Sequence, residues 1–224
     1  QEHSFGRALY HKTCESLAKA GHEVDGCNLY EEGFDPVLSA RDRDIYHTVP
    51  DNRELVDNYC ERLLAAEGLV ICTPVWNFGF PAMLKGYFDR VWLPGVSFHL
   101  EDGTLTPTLR HIRKMAAVMT YGGSRWRAFL VGDPPRKVVN RVIREQIKIG
   151  APVKYLAHYD MNNCTPASTG AFLEKVVIIG HGRLLENRLA GEGLGELLVD
   201  LGEDAREIPC LEILARRCAG ACTL

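Results

Sequence analysis

The chain has no hydrophobic run of membrane-spanning length, no lysine or arginine run, and no histidine or cysteine spacing that marks a metal site. Each absence removes a class of protein. Crossing a bilayer takes about twenty apolar residues, so no stable membrane insertion is expected. The net charge is −3, from 26 basic and 29 acidic residues, and a balance so near neutrality suggests neither nucleic acid nor a membrane surface as a partner. The eight histidines form no His-Glu-x-x-His pattern. Cys210, Cys218 and Cys222 cluster without a neighbouring histidine or a zinc-site spacing, so no metal is expected. His99 and His158, near strand or loop ends, read as surface or capping residues. Eight cysteines scattered through 224 residues do not make a small disulfide framework. Cys14, Cys27, Cys60, Cys72 and Cys164 lie mostly in apolar surroundings, which suits reduced thiols in a cytoplasmic protein. Gln1 begins neither a signal peptide nor a natural reading frame.

What the chain does contain is a core: 46% of its residues are hydrophobic, enough for one sheet-centred domain. Apolar periodicity predicts alternating units: helix 5–20, strand 22–30, helix 53–66, strand 69–75, helix 82–92, strand 114–120, helix 133–148 and strand 153–159. Strands separated by helices of this length need right-handed crossovers, so the expected fold is a doubly wound parallel α/β sheet with helices on both faces. The most informative stretch is 74–91. There the strand run Leu69-Val70-Ile71-Cys72 opens into an aromatic, glycine-containing loop, and Pro81 then starts a helix with Met83, Leu84, Tyr87, Phe88, Val91 and Trp92 at helical spacing. A strand end that opens onto such a loop is where α/β sheets bind flat cofactors.

The stretch Pro74-Val75-Trp76-Asn77-Phe78-Gly79-Phe80-Pro81-Ala82-Met83-Leu84-Lys85-Gly86-Tyr87-Phe88-Asp89-Arg90-Val91 resembles the signature of the flavodoxin-like NAD(P)H:quinone oxidoreductase family. Thr120-Tyr121-Gly122-Gly123, after the apolar run 115–119, resembles a second block of that family, and Gly132-Asp133-Pro134-Pro135 then opens the next helix. The family begins with a strand and a loop leading into Ser-Phe at the first helix. Ser4-Phe5 matches that pair, so a central first strand is expected to precede Gln1. Without it two flanking strands would stand open.

The resemblance implies a bound flavin, FAD or FMN, held without covalent attachment, and NADPH or NADH as hydride donor. Three clusters would enclose it. Ser4 and Phe5 lie at a helix start, where free N–H groups suit a phosphate, although a serine there is equally an ordinary N-cap. Pro74, Val75, Trp76, Asn77, Phe78 and Gly79 would border the ring, with Phe78 against it. Core packing is the competing explanation for either aromatic alone. Thr120, Tyr121, Gly122 and Gly123 form the third cluster, and Tyr121, Gly122 and Gly123 would stabilise charge on the reduced ring. A plain turn is the default for a lone Gly-Gly pair. Phe80, Arg125 and Trp126 are candidates to contact the acceptor. The segment Ser124-Arg125-Trp126-Arg127-Ala128-Phe129 departs from the vertebrate pattern, so no Tyr/His relay is carried over.

The expected activity is two-electron reduction of quinones or related electrophilic aromatics by ping-pong exchange through one site. The resemblance also implies a homodimer, with Trp126 and the Val96-Ser97-Phe98 region facing the partner chain. Two rivals are a regulatory flavoprotein subunit of a membrane transport system and a flavodoxin-like electron carrier. The near-neutral charge argues against the carrier. The flavin-binding domain is expected to span 1–184. Within it 165–176 reads as the last helix, although Val176-Val177-Ile178-Ile179 also has strand character. Residues 185–224 are expected to form an extension.

Overall fold

Residues 69–72 and 115–119 are buried whichever way their side chains point. That is the signature of interior strands in a sheet covered on both faces. The structure, a computed structural model, describes residues 4–177 and 179 and the backbone of 211–217. In chain order the elements are α1 (Phe5–Lys19), β1 (His22–Cys27), α2 (Ala40–Asp44), α3 (Asp57–Ala65), β2 (Gly68–Val75), α4 (Ala82–Val91), β3 (Phe98–Glu101), β4 (Thr104–Pro107) and β5 (Lys114–Tyr121). There follow α5 (Arg125–Leu130), α6 (Pro134–Lys137), a π-helical turn (Val138–Ile143), α7 (Arg144–Gln146), β6 (Val153–His158), α8 (Pro166–Val177) and β7 (Leu211–Arg217).

The main sheet has the order β1-β7-β2-β5-β6, with β2, β5 and β6 parallel. Alternation along the strands sorts the core into two layers. Leu69, Ile71, Met115, Ala117, Met119 and Tyr121 pack with side chains from α3, α4 and the 134–147 helical segment. Val70, Cys72, Ala116 and Val118 pack with Phe5, Leu9 and Leu17 of α1 and Phe172, Leu173 and Val176 of α8. The doubly wound α/β fold expected from the periodicity is therefore present. The position between β1 and β2, for which a strand preceding Gln1 was expected, is taken by β7. It runs antiparallel to both neighbours and hydrogen-bonds both inner edges. The expected boundary at 184/185 lies outside the described residues, as does most of the 185–224 segment.

Where the elements depart from the periodicity, local hydrogen bonds give the reason. The first strand ends at Cys27 rather than residue 30 because Asn28 begins a turn, its Oδ1 accepting the Glu31 N–H at 3.3 Å. Residues 51–53 form a separate 3₁₀ turn ahead of α3. The helix expected over 133–148 ends at Gln146 and contains the π turn. The helix reading of 165–176 holds, and α8 runs to Val177. The β3–β4 hairpin was not anticipated, although its turn Asp102-Gly103, with φ of 48° and 76°, carries a legible hairpin signal. Val96 and Ser97 correct the expectation of a partner-facing segment: both are buried within this chain.

The Leu-Lys-Gly and Asp-Arg-Val portions of the 74–91 signature have a structural job. Arg90, only 7% exposed, pairs with Asp42 at 3.4 Å, donates to the Asp35 carbonyl and lies over the Phe34 ring. One turn earlier, a Cβ on Gly86 would stand 2.2 Å from the Pro36 carbonyl oxygen and 2.5 Å from its Cα. The loop ahead of α2 is thus clamped on α4 by one cation and seated by one missing methyl. Because the obstructing atoms are backbone, Gly86→Ala must displace the loop, and we expect it to cost about 2–3 kcal/mol. Urea denaturation would read this as a lower midpoint at unchanged slope.

Candidate functional site

Pairing of β2 with β5 runs in register from Gly68 opposite Lys114 to Val75 opposite Tyr121. Both strands end at the same level, so the residues that follow each emerge side by side. After β2, the Trp76 N–H donates to the Gly79 carbonyl (3.0 Å) and the Gly79 N–H to the Trp76 carbonyl (2.8 Å), closing a two-residue turn. Asn77 and Phe78 occupy it with φ of 48° and 57°. A left-handed backbone costs a bulky side chain about 1–2 kcal/mol, and such strain persists where the surrounding structure has a use for it. Gly79 is not in the left-handed region and a Cβ there would meet only the Trp76 carbonyl oxygen, at 3.6 Å; asparagine tolerates that region, so the strain sits chiefly on Phe78.

This turn leaves Trp76 55% and Phe78 39% exposed, which removes core packing as the explanation for either aromatic. Pro74 is buried, Val75 half-buried, and Phe80 is half-buried against Phe88 with ring centroids 5.8 Å apart. After β5, the Gly122 and Gly123 carbonyls accept from the Asn162 and Asp160 N–H groups at 3.4 and 2.9 Å. A Cβ on Gly122 would stand 3.3 Å from Asn162 Oδ1, so this glycine lets the loop after β6 come close. Ser124 caps α5, while Arg125 and Trp126 are exposed.

Behind the glycine pair lies a network that the sequence reading missed. Tyr121 is buried; its hydroxyl donates to Asp133 Oδ1 at 2.6 Å and so accepts from the Tyr155 hydroxyl at 2.6 Å. Arg136 donates through Nε to Asp133 Oδ2 (2.8 Å) and through a terminal nitrogen to the Tyr159 hydroxyl (2.9 Å), with its guanidinium over the Tyr155 ring. Burial, then the bonds to Asp133 and Tyr155, raise the Tyr121 phenol well above its ordinary range, so it stays protonated. Asp133 stands at the N-cap of α6 with φ of 45° and makes no capping bond: Pro134 and Pro135, the first two helical residues, offer no N–H, and its carboxylate is committed to Tyr121 and Arg136. The sequence signalled Asp133 only as a helix start, and Tyr155 and Tyr159 only as strand residues.

Ser4 is the N-cap of α1, accepting weakly from the Arg7 N–H at 3.5 Å, and Phe5 packs between His158 and Phe172. His158 opposes Thr120 across the β5–β6 pairing, so this helix start reaches the same sheet edge as the other two clusters. His158 is buried rather than on the surface. Its Nδ1 and the Thr120 Oγ1 are buried atoms with no hydrogen-bond partner among the described residues. Buried polar groups are normally satisfied, so two unpaired atoms on facing residues mark a place that takes a further polar group. A cavity of about 420 Å³ opens on the α8 side of this edge, lined in part by His158, Asp160 and Lys175. Among the described residues no three His, Cys, Asp or Glu side chains gather to hold a metal. Cys210, Cys218 and Cys222 lie outside those residues.

An aromatic turn and a glycine pair on neighbouring strand ends, beside a helix N-terminus, stand at the carboxyl edge of the sheet, the place where open α/β sheets take their ligands. The chain belongs to the flavodoxin-like fold family, whose model matches residues 1–137. It is 30% identical over 123 residues to an uncharacterized NAD(P)H oxidoreductase of Haemophilus influenzae, covering 54% of this chain and 59% of that one. It is 35% identical over 108 residues to an FMN-dependent NADH:quinone oxidoreductase of Beijerinckia indica, covering 46% and 53%. The chain thus spans about half the length of the curated relatives it matches. In fold it resembles the NAD(P)H:quinone oxidoreductase of Methanothermobacter marburgensis, with a TM-score of 0.69 at 21% identity, covering 82% of this chain and 93% of that one.

Burial lowers the His158 pKa, outweighing an opposing bond with the Ser168 backbone. Below the ordinary value of about 6.5 the unfolded chain therefore binds a proton that the native state does not. His158 thus contributes stability that is full above about pH 6.5 and declines as the pH falls toward the lowered native value. Chemical denaturation from pH 7.5 down to 5.5 is expected to show this decline, and His158→Phe to flatten it.

Proposed function

We propose that the chain is a flavin-dependent NAD(P)H oxidoreductase that reduces quinones or related electrophilic aromatics, with both substrates using one site in turn. The observation that carries this reading is the strained aromatic turn, which keeps the Trp76 and Phe78 rings out of the core at the same sheet edge as Gly122 and Gly123. The names of relatives such as the Beijerinckia indica protein support FMN over FAD and NADH as a donor. The 74–79 turn would border the flavin ring, Gly122 and Gly123 would approach its polar edge, and Ser4 with the α1 N-terminus would receive the phosphate. Phe80, Trp126 and Arg125 border the space left for nicotinamide or acceptor. Bound flavin supplies a ring that takes hydride from one substrate and gives it to the next.

The role of the protein is placement. Tyr121, fixed by Asp133 and Tyr155, holds the glycine backbone from behind, and the exposed aromatics exclude water from the ring face. The described cysteines are free, three of them buried, which supports a reducing compartment such as the cytoplasm.

The test is the visible spectrum of purified protein, before and after FMN addition, followed by anaerobic NADH and then a quinone. Flavin bands that bleach with NADH and return with quinone are the expected result. A protein that neither contains nor takes up FMN or FAD would overturn the reading. Phe78→Gly relieves the left-handed strain but gives up the part of the ring that the fold covers, the side chain being 39% exposed. We expect these opposed effects to leave its stability equal or up to about 2 kcal/mol lower, while its FMN affinity, followed by quenching of flavin fluorescence, falls about tenfold, which is about 1.4 kcal/mol.

A further inference from the structure

Most of the described cysteines are covered by the fold. Cys27, Cys60 and Cys72 are buried and Cys14 is half-buried, and burial pushes the Cys60 and Cys72 thiols up to about 12. Cys164 alone among the described cysteines is exposed. It closes the 3₁₀ turn Met161–Asn163, its N–H donating to the Met161 carbonyl at 3.3 Å. The next residue, Thr165, caps α8 by exchanging hydrogen bonds with Ser168.

Cys164 also lines the cavity of about 420 Å³ at the end of β6, a volume that suits a small molecule. Tyr159 and Phe172 contribute ring surface to its wall, while Ser168 and Lys175, seven residues apart on one face of α8, bring a hydroxyl and an ammonium. Lys175 is exposed and forms no ion pair among the described residues. His158, only 8% exposed, belongs to the same wall, and its Nδ1 is a buried atom with no hydrogen-bond partner there. A buried, unpaired nitrogen in a cavity wall calls for an occupant that carries a polar group. Ring surface, a cation and an unpaired nitrogen around an exposed thiol suit an aromatic electrophile with carbonyl oxygens.

We propose that Cys164 is a covalent capture site for quinones, which enter this cavity and are alkylated onto the thiol. The sulfur gives an electron pair to an unsubstituted ring carbon and forms a C–S bond. The displaced π electrons pass to the conjugated carbonyl oxygen, and the Lys175 ammonium in the cavity wall offsets the charge that builds there. The proton lost by the thiol and the proton lost by the attacked carbon are matched by one taken up at each quinone oxygen. The product is a hydroquinone thioether, and no outside oxidant or reductant is consumed. Asp160 and Asn162, four and two residues before Cys164, donate their N–H groups to the Gly123 and Gly122 carbonyls. An adduct on Cys164 therefore stands beside the candidate site and obstructs it when quinone outruns the supply of hydride donor. That consequence, and the choice of quinone as the electrophile, rest on the oxidoreductase reading; the reactive cavity itself does not.

The experiment incubates the full chain as purified, without NADH, with rising concentrations of menadione, which keeps one unsubstituted carbon on its quinone ring. Mass spectrometry of the Cys164 peptide follows the adduct. Capture from a cavity is expected to level off with menadione concentration and, below saturation, to run about tenfold faster than addition of the same quinone to glutathione. The dimethyl analogue, which has no unsubstituted quinone-ring carbon, should leave no adduct but should slow capture of menadione by occupying the cavity. Lys175→Gln, an exposed substitution, should lower the saturated rate several-fold. Circular dichroism checks that this variant is folded, and the concentration series on the unaltered chain provides a reading that needs no variant. A rate that rises linearly with menadione and matches glutathione overturns the proposal, because Cys164 is then no more than an exposed thiol. So does an adduct found only on other residues. The measurement reads neither flavin nor turnover, so its failure would leave the proposed activity standing.

Discussion

The parallel register between β2 and β5 is the constraint on which the rest of the molecule depends. It sets Val75 beside Tyr121, and everything proposed for the site follows from two strands ending at one level. A shift of one residue would reverse the face of each side chain along the strand. Leu69 and Ile71 would then leave the α3–α4 layer, and the aromatic turn would no longer align with the glycine pair. The register is enforced from both sides, because each strand is buried in both layers of the core.

The molecule treats its aromatic residues in two opposite ways. Tyr59 meets Phe34 and Tyr87 edge to face in the core, and Phe34 lies tilted against Tyr87, where their area is a large stabilising term. Trp76 and Phe78 are kept out by a turn that puts Asn77 and Phe78 in a left-handed backbone. Strain of this kind is retained where it has a use. The Tyr121–Asp133–Arg136 network has a similar logic, since Asp133 makes no capping bond and instead holds the residue next to the glycine pair. Stability is spent at one edge of the sheet, and the clamp of Arg90 and Gly86 supplies rigidity on α4 beside it.

Much of the fold was legible because burial on both faces leaves a periodic trace. Runs such as residues 69–72 and 115–119 suit covered strands, and α1 and α4 follow from their apolar spacing and end signals, while the helix reading of α8 came from the family resemblance. The aromatic turn and the glycine pair were also legible as neighbours in a family pattern. Cys164 stood in the sequence as one of several thiols in apolar surroundings. Only its exposure and the cavity it lines set it apart from the others.

The sequence by itself determined the doubly wound α/β layout and the segments that gather at the carboxyl edge, because local periodicity and strand–helix alternation leave few topologies. Tertiary structure alone decided which residues support them. Asn162 against Gly122, His158 beside Phe5, Asp133 on Tyr121 and Pro36 against Gly86 are pairs remote in the chain or hidden within a helix start. No local propensity encodes them. The occupant of the central sheet position was settled the same way, since β7 is chosen by long-range pairing with β1 and β2, and hydrogen bonds between distant strands leave no periodic trace in either one.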